Sequence, residues 1–213
     1  MSKKAVILLS GGLDSTTLLY HITSEGFTAY PLVISYGQKH KKEVLVAKKI
    51  SELLGLEIKQ IDLNPDIFGV NALTGSKDIP LEGYNAINIA LTVVPNRNMV
   101  FLSLAASYAV SIGAEMICYA AHGGDHALYK DCTVEFVSLM GEAIRYTNGI
   151  ELYAPFIKLT KIDIVKIGRG LGVPFELTWS CYQGGDEPCG VCATCRERED
   201  ALHTEKQGNN ETL

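Results

Sequence analysis

The 213-residue sequence has little of what marks a membrane protein or a general nucleic-acid-binding protein. None of its apolar runs approaches the roughly 18 to 20 residues that a helix needs to cross a bilayer. Basic residues are outnumbered, with 19 Lys and Arg against 24 Asp and Glu and a formal net charge of −5. Their one cluster, Lys39 to Lys42, opens a helical pattern. We therefore expect no membrane association and no nucleic acid partner.

The amino terminus also lacks the pattern of a secretion signal. The apolar run that follows Lys4 is about five residues long and meets Ser10, Gly11 and Gly12 instead of a small-residue cleavage site. This run predicts a β-strand. We expect a cytoplasmic protein, in which crowded cysteines bind metal more often than they form disulfides.

Short strand-like runs alternate with amphipathic helical patterns as far as residue 171. Strands are predicted near 5–9, 29–36, 57–63, 116–121 and 151–155, and helices near 14–25, 39–54, 97–112, 133–147 and 160–171. This alternation predicts an α/β fold with a doubly wound parallel sheet, in which ligands bind beyond the carboxyl ends of the strands. Residues 64–96 interrupt the pattern and predict a long functional loop.

Four of the six cysteines lie close together, with the spacing Cys181-x7-Cys189-x2-Cys192-x2-Cys195. Four thiolates suit a tetrahedral Zn²⁺, and a site filled entirely by protein is structural. An iron–sulfur cluster and redox-active or unliganded cysteines are the alternatives. We expect residues 1–171 to form a nucleotide-binding domain, 172–200 a zinc module packed on it, and 201–213 a frayed tail.

The segment Ser10 to Ser15, "SGGLDS", lies between the first predicted strand and the first predicted helix. It matches neither Gly-x-x-x-x-Gly-Lys-[Ser/Thr] nor Gly-x-Gly-x-x-Gly. A glycine turn before a helix is either an anion site or merely a tight connection. Asp14 is unexpected beside phosphate. It either holds a Mg²⁺ that bridges phosphates or is an acid favoured by the helix dipole.

This segment resembles the Ser-Gly-Gly-x-Asp-Ser signature of the PP-loop ATP pyrophosphatases, which cleave ATP between its α- and β-phosphates. Within that superfamily the chain is most similar to the 7-cyano-7-deazaguanine synthase family. The similarity rests on the segments 94–109, 129–136, 161–165 and 178–182, and it extends over residues 5 to about 198. The resemblance implies that ATP binds to Leu8, Leu9, Ser10, Gly11, Gly12, Leu13, Asp14, Ser15, Thr16, Thr17 and Leu18.

The implied reaction converts 7-carboxy-7-deazaguanine and ammonia to 7-cyano-7-deazaguanine, at the expense of ATP, in queuosine-type nucleoside biosynthesis. It passes through an acyl adenylate and an amide. The resemblance also implies Mg²⁺ with ATP, structural Zn²⁺ and a homodimer.

The resemblance suggests which residues carry the reaction. Asp14, Lys161 and Arg97 are the catalytic candidates. Arg97, Asn98, Asp125 and Asp131 are the candidates for substrate binding. The alternative for the two cations is an ordinary solvated helix residue, and for the two loop acids an exposed carboxylate.

The chain departs from the family pattern in one loop, where Lys130 replaces the usual Pro and Thr133 the usual Arg. The alternatives are therefore a relative that stops at the amide or joins the acid to another amine, a PP-loop tRNA-modifying enzyme, and a binding module without catalysis.

Overall fold

The computed structural model describes residues 2–38, 42–69, 73, 92–125 and 129–208. The strands are β1 (Lys4–Leu8), β2 (Thr28–Ser35), β3 (Lys59–Asp62), β4 (Met116–Cys118) and β5 (Glu151–Tyr153). The helices are α1 (Leu13–Ser24), α2 (Lys42–Leu53), α3 (Arg97–Ile112), α4 (Val134–Asn148), α5 (Lys161–Gly170) and α6 (Ala193–Gly208). The predicted α/β alternation is confirmed. Most of the loop predicted at 64–96, and the start of the helix predicted at 39–41, lie outside the described residues.

The strands form one parallel sheet in the order β3-β2-β1-β4-β5. The chain moves outward from β1 to β3 and then returns to the other side of β1. The carboxyl ends of β1 and β4 therefore flank the point where the winding reverses, which is where open α/β sheets bind ligands. The doubly wound architecture expected from the sequence is confirmed.

The central strands are covered on both faces, because successive side chains point to opposite sides. Ala5 and Ile7 of β1 pack with α1, α2, α5 and α6, whereas Val6 packs with α3 and α4. All three side chains are fully buried. The two cores fix β1, and with it the position of the turn that follows.

Helix α5 begins with a capping box that fixes its first residue, Lys161. The Thr160 hydroxyl accepts from the Asp163 N–H at 3.2 Å, and the Asp163 carboxylate accepts from the Thr160 N–H at 3.0 Å. These hydrogen bonds to Thr160 lower the pKa of Asp163. Reciprocal capping satisfies backbone donors that the first turn leaves unpaired.

Helix α6 continues to Gly208, well into the stretch 201–213 that was expected to fray. Ala201 is buried against the same core as α1 and α5, which explains the extension. Residues 209–213 lie outside the described ranges, and the predicted domain boundaries stay predictions. Among the described helices, none has the length and apolarity needed to span a membrane.

The packing of α5 on α1 depends on a glycine. A Cβ atom on buried Gly168 would lie 2.9 Å from Thr17 Oγ1 and would collide with the Phe175 ring. We predict that Gly168→Ala lowers the free energy of unfolding by about 1 to 3 kcal/mol through overpacking. The control is Gly170→Ala in the same helix, where a Cβ meets nothing within 4 Å. Denaturant unfolding measures both, and equal stability of the two variants would contradict this packing.

Candidate active site

A cavity of about 590 Å³ opens at the carboxyl ends of the central strands, the place predicted for a ligand. Its volume lies within the range usual for small-molecule sites. Its walls come from the turn after β1, the amino-terminal ends of α1, α2, α3 and α5, the segments that follow β4, and the segment that leads to the cysteines.

The turn after β1 is held in a closed arrangement by its serines. The Ser15 hydroxyl accepts from the Ser10 N–H at 3.1 Å and lies 2.9 Å from the Ser10 hydroxyl. The Ser10 hydroxyl accepts from the Gly12 N–H at 3.1 Å. Helix α1 begins at Leu13, so its amino-terminal end faces the cavity. Backbone N–H groups and hydroxyls at a helix amino terminus favour an anion.

Gly11 packs too closely against α2 to carry a side chain. Its φ is +83°, and a Cβ would lie 2.5 Å from the Glu43 carbonyl oxygen and 2.9 Å from the Ala47 nitrogen. On the other side, the Gly11 carbonyl accepts from the Trp179 N–H at 3.0 Å. The turn is therefore clamped between α2 and the segment that leads into the cysteines.

Residues 8–18, the predicted ATP-binding segment, divide into two groups, apart from Gly11, which does not line the cavity. The cavity is lined by Leu8, Leu9, Ser10, Gly12, Leu13, Asp14 and Ser15. Thr16, Thr17 and Leu18 are fully buried in α1, and the Thr17 hydroxyl donates to the Leu13 carbonyl at 2.9 Å. Only the first group borders the cavity.

Asp14 lies in the first turn of α1 and faces two basic groups. Its Oδ2 is 3.5 Å from Lys161 Nζ and 3.9 Å from His122 Nε2. Its Oδ1 is buried and has no hydrogen-bond partner among the described residues. A buried carboxylate oxygen without a partner is costly, and a bound cation would satisfy it.

His122 follows β4 and is only 1% exposed, although a glycine-flanked loop histidine is usually on the surface. Its Nδ1 accepts from the Gly124 N–H at 3.2 Å, so the proton of the neutral ring lies on Nε2, the atom that faces Asp14. The sequence favours a surface position for this residue, and its burial contradicts that expectation. Its place at the carboxyl end of β4 was the available signal.

Lys161, the first residue of α5, joins the same group. Its Nζ lies 2.7 Å from Glu197 Oε2 and 3.5 Å from Asp14 Oδ2, and the side chain is 16% exposed. The structure therefore places the predicted pair, Asp14 and Lys161, together at the turn after β1. Glu197 comes from α6 and was not predicted.

Arg97 lies on another wall of the cavity. Its guanidinium donates to the Tyr36 hydroxyl at 3.2 Å and lies 5.8 Å from the centre of that ring. Glu43 lines the cavity as well. Burial raises the pKa of Glu43 to about 8, although the charge of Arg97 partly opposes the shift. Tyr36 and Glu43 are further residues that the sequence did not single out.

Asn98 and Asp131, which are both predicted substrate ligands, are in contact. The Asn98 N–H donates to Asp131 Oδ2 at 3.3 Å, and its side-chain amide donates to the Asp131 carbonyl at 3.4 Å. The Tyr119 hydroxyl donates to the same carbonyl at 3.0 Å. These bonds fix the short 3-10 turn 130–132 at the cavity wall. The side chain of Asp125 lies outside the described part of the chain.

Thr133, one of the departures from the family pattern, has a structural role. Its hydroxyl accepts from the Phe136 N–H at 3.2 Å and donates to the Lys130 carbonyl at 3.0 Å. It is therefore the N-cap of α4.

The four clustered cysteines come together as predicted. The sulfurs of Cys181, Cys189, Cys192 and Cys195 all lie within 4.8 Å of one another. A tetrahedral Zn²⁺ with bonds of about 2.3 Å needs sulfurs about 3.8 Å apart. The N–H groups of Cys189 and Cys192 donate to the sulfurs of Cys181 and Cys189, both at 3.4 Å. Four thiols supported by N–H donors fit a metal that all four ligate.

Trp179 connects the cysteines to the cavity. Its indole N–H donates to the Cys181 carbonyl at 3.0 Å, and Lys42 Nζ lies 4.2 Å from the centre of its ring. This contact occupies one residue of the basic cluster at 39–42 in a cation–π interaction.

Comparison with known proteins gives consistent matches over almost the whole chain. Residues 4–206 match the family described as "Queuosine biosynthesis protein QueC". The 7-cyano-7-deazaguanine synthase of Archaeoglobus fulgidus is 47% identical over 204 residues, which are 93% of this chain and 85% of that protein. The enzyme of the same name from Caldicellulosiruptor saccharolyticus is 49% identical over 204 residues, 93% of this chain and 90% of that protein.

Among solved structures, NMN synthetase from Francisella tularensis superposes with a TM-score of 0.57. Its identity is 18%, and the match covers 96% of this chain and 78% of that one. This similarity supports the fold alone.

The raised pKa of Glu43 predicts a pH dependence of stability. The folded pKa, about 8, exceeds the ordinary value of 4.5, so between these values the folded state binds more protons than the unfolded state. The free energy of unfolding therefore falls as the pH rises through this window. We predict that Glu43→Gln removes this pH-dependent contribution. The wild type should lose stability between pH 5 and pH 8 relative to the variant. Thermal melts measure the difference.

The control is Glu52→Gln, at an exposed position of the same helix. Its melting temperature should follow that of the wild type across the range. Parallel curves for Glu43→Gln and the wild type would contradict the raised pKa of this carboxyl.

Proposed function

Because the chain belongs to the family of the queuosine biosynthesis protein QueC, we propose that its cavity binds ATP, ammonia and 7-carboxy-7-deazaguanine together. Its activity is that of a 7-cyano-7-deazaguanine synthase, an ATP-dependent ligase of queuosine biosynthesis. One observation carries the assignment of the site. The turn 10–15, Asp14 and Lys161 lie in one cavity with Arg97, so phosphate-binding groups and a second cation face a common space.

The chemistry explains why ATP is needed. A carboxylate is a poor electrophile, because its oxygen does not leave. Attack of the carboxylate on the α-phosphate gives an acyl adenylate and pyrophosphate, and ammonia then displaces AMP to give the amide. A second adenylation on the amide oxygen again releases pyrophosphate. Loss of AMP and two protons then leaves the nitrile. Each activation places negative charge on phosphate, so catalysis requires positioning and charge stabilisation.

At the phosphate end, we assign the backbone of Gly11 and Gly12 and the hydroxyls of Ser10 and Ser15 to pyrophosphate. The amino terminus of α1 supports this assignment. Lys161 would neutralise charge at the α-phosphate. Its position at the amino-terminal end of α5, next to the turn, supports the role.

We assign Asp14 to the Mg²⁺ that accompanies ATP. The unpartnered, buried Oδ1 supports this role, since carboxylate oxygens are preferred ligands of Mg²⁺. The bound ion would supply positive charge for the leaving pyrophosphate. The alternative from sequence, an acid that only complements the helix dipole, leaves that oxygen unexplained.

At the acid end, Arg97 is our candidate for the substrate carboxylate, because its guanidinium can bind two oxygens side by side. Asp131, held by Asn98, is our candidate for the N–H donors of the deazaguanine ring. Asp125 stays a second candidate for the same donors. A paired acceptor for ring donors rejects analogues that lack them.

The four-thiolate site is proposed to hold Zn²⁺ in a structural role. Four sulfurs would fill all positions of a tetrahedral Zn²⁺ and leave none for a substrate.

A homodimer is also proposed. The support comes from α3, whose exposed positions carry no charge; they are Met99, Ser103, Ser107, Val110 and Ser111. The three serine hydroxyls donate to carbonyls of their own helix, so this face could be covered by a second copy without leaving them unpaired. Sedimentation velocity would test the assembly, and a monomer at micromolar concentration would exclude it. The expected cytoplasmic location stays a prediction.

The proposed function is tested by mixing the purified protein with ATP, Mg²⁺, ammonium and 7-carboxy-7-deazaguanine. We predict a product with the mass of the nitrile, together with AMP and pyrophosphate. Asp14→Asn should lower the turnover about a hundredfold or more, as removal of a key electrostatic group does. Asp66→Asn, at an exposed position, is the control and should match the wild type.

Absence of both AMP and nitrile with the wild type would exclude the proposed reaction. Accumulation of the amide alone would instead identify a relative that stops halfway. Full activity of Asp14→Asn would remove the role assigned to that carboxylate.

A further inference from the structure

Glu197 is a cavity residue that the reaction described above does not use. It lies on α6, two positions after Cys195, and is separated by more than 30 residues from Lys161, its nearest charged partner. Its side chain is 28% exposed. A carboxylate in such a position has a role in the site or is a solvated helix residue.

The two carboxylates near Lys161 are not equivalent. Glu197 Oε2 lies 2.7 Å from Lys161 Nζ, which is a short charge-assisted hydrogen bond, whereas Asp14 Oδ2 lies at 3.5 Å. A lysine side chain has four rotatable bonds, and fixing it costs entropy. The capping box fixes the backbone of Lys161, and among the contacts between described residues the bond to Glu197 holds its ammonium group most closely.

The other oxygen of Glu197 also faces the site. Glu197 Oε1 would lie 3.8 Å from a Cβ built on Gly124, the residue whose N–H donates to His122. Glu197 therefore fills the space between the start of α5 and the turn that carries His122.

Helix α6 itself is held in place next to the cysteines. Cys195 lies in its first turn. Arg198, the residue after Glu197, donates to the Thr178 hydroxyl and to the Phe175 carbonyl, both at 2.5 Å. The position of Glu197 is thus set by elements outside the nucleotide-binding turn.

We propose that Glu197 is a positioning residue that aims the Lys161 ammonium group at the α-phosphate of ATP, and that α6 thereby connects the cysteine cluster to catalysis. This inference rests on the role proposed above for Lys161. Glu197 does not touch substrate. It acts through the lysine, whose misplacement by about 1 Å is enough to slow a reaction by about a hundredfold.

The test is a double-mutant cycle with Glu197→Gln and Lys161→Met, which both preserve side-chain length. Initial rates of pyrophosphate release give kcat and KM for ATP. We expect Glu197→Gln to lower kcat/KM by about tenfold to a hundredfold. In the Lys161→Met background the same change should have an effect of less than about twofold, since the group through which it acts is gone. Glu199→Gln, on the same helix but 65% exposed, is the control and should match the wild type.

Independent losses that multiply in the double variant would overturn the proposal, as would wild-type kinetics of Glu197→Gln. Loss of bound metal from Glu197→Gln, measured by elemental analysis, would also overturn it, because the carboxylate would then act on the cluster. The proposed function fails separately: if the wild type forms no nitrile, the reaction is wrong. If the wild type is active and only Glu197→Gln lacks the effect, this inference alone is wrong.

Discussion

The hydrogen bond from the Trp179 N–H to the Gly11 carbonyl, 3.0 Å long, joins the two parts of the molecule on which the site depends. Gly11 belongs to the turn to which we assign pyrophosphate, and Trp179 precedes the first cysteine of the cluster. On the opposite side, Gly11 lies against the backbone of α2 so closely that no side chain fits. The turn thus keeps its shape through backbone contacts from two separate elements.

The charges of the cavity are arranged in two groups. Asp14, Lys161 and Glu197 lie at the turn, where the two carboxylates lie 3.5 and 2.7 Å from the lysine ammonium group. Arg97 and Glu43 lie on another wall, where burial raises the pKa of the carboxyl to about 8. Each cation therefore has a distinct environment, which suits a reaction with a polyphosphate at one end and a carboxylate at the other.

Local patterns predicted the fold, the phosphate turn and the cysteine cluster, because each depends on residues close in sequence. The alternation of strand and helix patterns predicted the parallel sheet, and the spacing of four cysteines within one segment predicted that their sulfurs lie together. Glu197 was not predicted as part of the site, and His122 was expected on the surface. The first enters it only because α6 packs on α5, and the burial of the second depends on the sheet edge around it. Such contacts join segments that are distant in the sequence, so no short sequence motif reveals them.

If the cysteine cluster holds the turn 10–15 in place, loss of one cysteine should loosen that turn, and hydrogen exchange of Cys189→Ser measures this. Mass spectrometry would follow peptides that cover residues 10–15 and 179–198, with Cys118→Ala, a core cysteine outside the cluster, as the control. We predict faster exchange in both segments for Cys189→Ser, and no specific change at the turn for the control. Faster exchange confined to 179–198, with residues 10–15 unchanged, would contradict it.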